Sequence, residues 1–276
     1  MMKKLVFALV LLLPLTAQAQ TSFAGRASAG VDYKIAKGFH IVAEEEVRSA
    51  DSFSALGSIR TTLGLTWKPA KFLKLGTGYT LINPWKVGKE VELEDGSTAS
   101  YTGFWAPRHR FYFDVRGALR LSDFEFFVKE RLQLTHNGDS DMNVYQSPRN
   151  ALTLKSRIGV KYKGWGAVTP TAYFEVRTAL NDPWGNTSGS LQTKKDGTTY
   201  YTYIPTGYTH VYNNRYRGNL SLDWEINKHH TLSPYVLLDY ISEYELDTNK
   251  KGTRLFSAAY NEGFRVSVGL GYTFKF

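Results

Sequence analysis

What most constrains this chain is a period of two. In the last stretch Phe264, Val266, Val268, Leu270, Tyr272, Phe274 and Phe276 alternate with Arg265, Ser267, Gly269, Gly271, Thr273 and Lys275. In the first, Phe23, Gly25, Ala27, Ala29, Val31, Tyr33 and Ile35 alternate with Arg26, Ser28, Gly30, Asp32 and Lys34. Successive side chains of a strand point to opposite faces, so such a stretch is a strand with one apolar and one polar side. Similar stretches near 39–49, 56–68, 72–82, 108–121, 123–136, 150–163, 169–180, 213–226 and 230–243 complete a set of eleven.

The connections alternate in length. Short ones at Ala36–Gly38, Pro69–Lys71, Ser122–Asp123, Lys163–Val168 and Asn227–His229 are interleaved with longer polar ones near 83–107, 137–149, 181–212 and 244–262, with 50–55 a short member of the long set. A meander that crosses a membrane gives this pattern, with tight turns on one side and loops on the other. It predicts residues 83–107 and 181–212 on the cell surface and Asn227–His229 in the periplasm.

Alternation alone leaves the apolar face open: inward in a soluble barrel or sandwich, outward in a transmembrane barrel. Three features favour the membrane. Strands of ten or more residues are long enough to cross a bilayer obliquely. Trp67, Tyr79, Tyr162, Trp224 and Tyr272 lie near strand ends, where aromatic belts form. The third is the N-terminus, where Lys3 and Lys4 precede the apolar run Leu5–Leu15 and an Ala-x-Ala pattern ends at Ala19. The run is well short of the ~20 apolar residues of a spanning helix, so residues 1–19 read as a secretory signal peptide and 20–276 as one barrel domain.

The chain has no cysteine, which excludes disulfides and Cys-based metal or redox sites, and 276 residues suffice for one large domain. The fold class expected is all-β: a single antiparallel up-and-down transmembrane β-barrel of 10–12 strands with a polar, basic lumen, short periplasmic turns and long outer loops, in the bacterial outer membrane. Two features sit awkwardly. Glu45 and Glu130 fall on the lipid-facing parity, to be resolved by a β-bulge or an interfacial position. An odd count of eleven also departs from the even number usual in bacterial barrels.

Five runs occur in order: Glu44-Glu45-Glu46-Val47-Arg48, Pro107-Arg108-His109-Arg110-Phe111, Lys129-Glu130-Arg131-Leu132-Gln133, Asn227-Lys228-His229-His230-Thr231-Leu232 and Gly269-Leu270-Gly271-Tyr272-Thr273-Phe274-Lys275-Phe276. Together they resemble the secreted outer-membrane β-barrel family catalogued as a domain of unknown function, over essentially the whole mature chain. More distantly, the strand count and basic lumen are similar to the oligogalacturonate-type porins. The resemblance implies location and fold, and carries over no catalytic residue.

On the inward parity lie Arg60, Lys74, Arg110, Arg116, Arg120, Lys129, Arg131, Lys155, Arg157, Lys161, Arg177, Arg215, Arg217 and Arg265. The acids on that parity are Glu44, Glu46, Asp114, Glu125, Glu175, Asp223, Glu225, Asp239 and Glu243. The cations are in excess and mostly arginine, whose planar fork matches carboxylates and phosphates. The candidate anion-binding residues are therefore Arg110, Arg116, Arg120, Lys129, Arg131, Lys155, Arg157, Arg177, Arg215, Arg217 and Arg265. Arg110, Arg116 and Arg120, on one face of one strand, form a basic ladder that Lys129 and Arg131 widen, with Asp114 and Glu125 the nearest neutralisers. Either the lumen is an anion-preferring pore or binding cavity, or these charges pair into a plug. A non-conducting structural or adhesive barrel working through its loops is the rival.

Enzyme signatures are absent: there is no Gly-x-Ser-x-Gly and no His-Glu-x-x-His. His109 with Ser147 is the best candidate for an outer-membrane lipid-modifying enzyme, His229-His230 reads as turn composition, and Asp139-x-Asp141-x-Asn143 only echoes a calcium loop. No cofactor or metal is expected. The partners expected are outer-membrane lipid, a small anionic solute or acidic oligosaccharide, and the barrel assembly machinery through the C-terminal strand. Cations spread one to three per strand over many strands, behind a secretion signal, argue against nucleic acid.

Overall fold

A computed structural model describes residues 21–92, 98–138, 143–185, 187, 189–204 and 207–276. Residues 1–19, where a signal peptide is expected, and Asp139 and Asp141 lie outside the described residues. Eleven strands form the wall: β1 (Thr21–Ala36), β2 (Phe39–Ser49), β3 (Leu56–Ala70) and β4 (Leu73–Lys86), then β8 (Arg108–Leu121), β9 (Phe124–Asn137), β10 (Asn150–Tyr162) and β11 (Val168–Asp182), and finally β14 (His210–Glu225), β15 (His230–Thr248) and β16 (Arg254–Lys275). Short pieces decorate the long connections: β5 (Lys89–Glu92), β6 (Thr98–Tyr101) and β7 (Phe104–Trp105) in one, β12 (Gln192–Thr193) and β13 (Thr199–Thr202) in another.

Consecutive wall strands pair antiparallel, and β1 closes on β16 in parallel, from Thr21 opposite Phe264 to Asp32 opposite Lys275. The wall is therefore antiparallel except at this seam. An odd count demands it, because the first and eleventh strands of a meander run the same way. The seam continues to the C-terminus, where the Phe276 N–H donates to the Asp32 carbonyl at 3.0 Å.

Two expected boundaries move. The segment 244–262 is mostly strand, with β15 and β16 in register up to Asp247 opposite Ser257 and, past a register shift, paired again at Thr248 opposite Leu255. The segment 83–107 begins as strand through Lys86, where Trp85 pairs with Trp105.

The faces divide by parity. Outward residues such as Ile158 (62% exposed), Leu63 (58%) and Phe111 (55%) contrast with inward Asp239 (0%), Glu175 (2%) and Gln133 (4%). A closed barrel with apolar side chains outside and charges inside is the transmembrane arrangement. At the short-turn rim Phe39 stacks on Trp67 at 5.4 Å and Phe124 packs on Tyr162 at 5.0 Å.

Glu45 and Glu130 remain on the outer face. Register is continuous through both, Ala29–Glu45–Thr61 and Val115–Glu130–Ser156, so no bulge re-aims either. Glu130 instead accepts a hydrogen bond from the Ser156 hydroxyl at 2.6 Å.

At the long-loop end three segments pack together. Tyr203 is fully buried with Leu246 and Leu255, against Tyr145 and Tyr244. Its hydroxyl reaches the Trp184 carbonyl at 3.2 Å, and burial pushes its phenol pKa up, which keeps it a donor. The Asn143 amide bonds the Thr248 hydroxyl at 3.1 Å, so the β9–β10 loop reaches across to the tip of β15–β16.

Candidate functional site

The lumen has two regions, and the registers of the strands decide which residues meet in each. Toward the short turns the wall is filled in layers. Inward glycines leave room for rings: a Cβ at Gly64 or Gly78 would collide with Tyr112, one at Gly159 with Phe127 and Tyr173, and one at Gly269 with Tyr235. Guanidinium groups lie over three of these rings, Arg131 on Tyr112 at 4.1 Å, Arg157 on Tyr173 at 3.9 Å and Arg116 on Phe127 at 4.7 Å.

Carboxylates complete the layers. Asp114 takes both Arg131 (2.5 and 2.6 Å) and Lys129 (2.8 Å), while Glu125 takes Arg116 (2.6 Å) and Lys163 (2.7 Å). Glu175 takes Arg157 at 2.6 Å, and Asp239 takes Arg217 at 2.6 and 2.9 Å. Bidentate guanidinium–carboxylate pairs of this kind are the strong, directional ones.

Above this layer lies a cavity of about 1080 Å³. Eleven cations line it: Arg26, Arg48, Arg60, Lys86, Arg108, Arg110, Lys155, Arg177, Arg215, Arg217 and Arg265. Four carboxylates join them, Glu175, Asp182, Glu243 and Glu245. Among the described residues Arg60, Arg110 and Lys155 have no carboxylate within 4.0 Å; Arg110 instead donates to the Thr135 hydroxyl at 2.9 Å. An extra residue, Asn214, bulges β14 between the pairs Arg177–Arg215 and Thr178–Asn213 and turns into the cavity beside Arg215. Gln146, Ser147 and Pro148 line the cavity too, so the β9–β10 loop folds over part of the mouth.

The residues expected from parity thus separate. Arg110, Lys155, Arg177, Arg215, Arg217 and Arg265 line the cavity, whereas Arg116, Lys129, Arg131 and Arg157 belong to the filled layer beneath it. Arg120 is exposed at the short-turn rim, donating to the Ser122 carbonyl at 3.1 Å. Arg26 and Arg48, left out of the inward set, line the cavity; their even positions alongside Ser28 and Glu46 carried that signal.

The other candidates do not assemble. His109 is on the outer face, bonded to the Tyr79 hydroxyl at 2.7 Å, while Ser147 faces the cavity. His229 and His230 are held at the turn by the Lys275 carbonyl (2.7 Å) and the Tyr272 hydroxyl (2.6 Å). No group of three metal-ligating side chains occurs among the described residues.

Comparison with known proteins gives three findings. A family model described as a protein of unknown function (DUF2490) matches residues 27–195. No curated protein matches the sequence. Among solved structures, OmpT (in-vitro folded), an outer membrane protein of Vibrio cholerae, aligns with a TM-score of 0.35 at 13% identity, covering 84% of this chain; the chain spans 59% of that protein.

Proposed function

The chain belongs to the family of proteins of unknown function DUF2490, and from that premise we propose that it is an outer-membrane barrel whose lumen binds or passes anions, either small ones or acidic oligosaccharides. The observation that carries this is the lining of the cavity, eleven cations against four carboxylates. Charges of one sign on low-dielectric walls focus a field that concentrates counter-ions. The apolar outer belt suits a bilayer, and a leader removed after Ala19 would deliver the chain there. The filled layer beneath the cavity favours a chamber entered from the long-loop mouth over a wide through-pore.

Titration calorimetry of the purified barrel with a short acidic oligosaccharide tests the reading. Binding that weakens with added salt, with none for a neutral oligosaccharide of the same length, is expected. Equal responses to both sugars would overturn it. Planar-bilayer recording then separates chamber from conduit: a chamber gives no steady current, and a conduit a steady anion-selective one.

The packed loop cap around Tyr203 supports a second reading, a barrel that works through its surface loops. Binding of a partner that survives blocking of the lumen would favour it.

A further inference from the structure

Three cations stand side by side on neighbouring strands of the cavity wall. Lys155 lies directly opposite Arg177 across β10–β11, and Arg177 directly opposite Arg215 across β11–β14. Like charges in opposed positions on one face destabilise a sheet. With strands ~4.8 Å apart, this row sets the backbone positions of three cationic residues within about 10 Å.

Little in the protein answers them. Glu243 is 3.2 Å from Arg215 and 3.9 Å from Arg177, and Lys155 has no carboxylate within ion-pair distance among the described residues. The Nε atoms of Arg177 and Arg215 are buried without a hydrogen-bond partner. Buried donors left without acceptors are costly, which makes them a mark of something missing.

We propose that Lys155, Arg177 and Arg215 form a seat for a phosphate-class dianion, either free inorganic phosphate or the phosphate group of a soluble monoester. The seat rests on the reading that the chamber takes anions. A monocarboxylate added to Glu243 leaves the row with a net positive charge. A phosphate carries about −1.5 to −2 charges and three acceptor oxygens, enough to engage the ammonium and both guanidinium forks at once. Glu243 shares the arginines with the ligand and competes with it.

Titration calorimetry of the whole barrel at fixed ionic strength tests the seat, with inorganic phosphate, a hexose 6-phosphate and glucuronate as probes. Phosphate binding at least tenfold tighter than glucuronate is expected, and the comparison of phosphate with the hexose ester identifies the source. Lys155→Gln should weaken phosphate binding tenfold or more, Glu243→Gln should tighten it severalfold, and Arg120→Gln at the rim should leave it unchanged. Folding of each variant is read from its heat-modifiable gel shift; should Lys155→Gln not fold, Glu243→Gln decides alone. Equal affinities for phosphate and glucuronate, or no tightening in Glu243→Gln, overturn the seat while the anion chamber stands. If neither probe nor an acidic oligosaccharide binds, both fall.

Discussion

Two adjacent rows of the inner wall, a single pleat apart on the same strands, solve the same problem in opposite ways. In the row nearer the short turns Arg157, Glu175, Arg217, Asp239 and Arg265 are directly opposed from strand to strand, so the signs alternate and each carboxylate is flanked by cations. Two residues further toward the loops the same strands present Lys155, Arg177 and Arg215, and the signs repeat. The first row satisfies itself and serves stability. The second gives up stability and keeps charge available. Because side chains repeat every second residue, one pleat is enough to separate charge that is neutralised along its own row from charge that is left over, although Glu175, Arg217 and Arg265 of the first row also reach the cavity.

The largest effect should come from breaking the alternating row. Asp239 is fully buried between Arg217 and Arg26, so Asp239→Asn leaves two cations short of their partner and should cost about 3–5 kcal/mol. The heat-modifiable gel shift should move to markedly lower temperature. A variant as heat-resistant as the parent would mean the row is not what holds this layer.

A smaller loss should follow from disturbing the rings that fill the same region. Gly269→Ala drives a methyl group into the Tyr235 ring and should destabilise by about 1–3 kcal/mol, the usual range for overpacking. Gly218→Ala, on the outer face where a Cβ meets nothing within 4 Å, is the matched control in a denaturant titration.

The smallest stability effect should be in the repeating row. Lys155→Gln removes a charge opposed by like charges and should change stability by less than about 1 kcal/mol in either direction, measured by the same titration. A loss as large as that of Asp239→Asn would erase the distinction between the rows.

Much of this was legible in the sequence, for a physical reason. Where one face of a strand meets an apolar medium and the other a polar lumen, alternation is sharp, and the stretches 39–49 and 108–121 have the bounds of β2 and β8. Above the apolar belt both faces are polar, so alternation fades although the ladder continues. This is why Glu245, Asp247, Asn261 and Glu262 read as loop while β15 and β16 run through them.

Parity also assigns side chains to a face but says nothing about which strand neighbours are level. Asp114 and Glu125 could be picked out as neutralisers of Arg116, Lys129 and Arg131 because the two-residue turn Ser122–Asp123 fixes the β8–β9 register. The opposition of Lys155, Arg177 and Arg215 depends on the several-residue turn Lys163–Val168, on the long segment 181–212 and on the Asn214 bulge, which no periodicity carries.

The central claim is that charge in the upper chamber is available while charge in the lower layer is consumed. Titrating an acidic oligosaccharide into the parent, the double variant Lys155→Gln/Arg177→Gln, and the double variant Arg116→Gln/Lys129→Gln tests it most directly. Binding should fall tenfold or more in the first variant and change less than twofold in the second, provided both show the folded gel band. Loss of binding in the second with retention in the first would contradict the account.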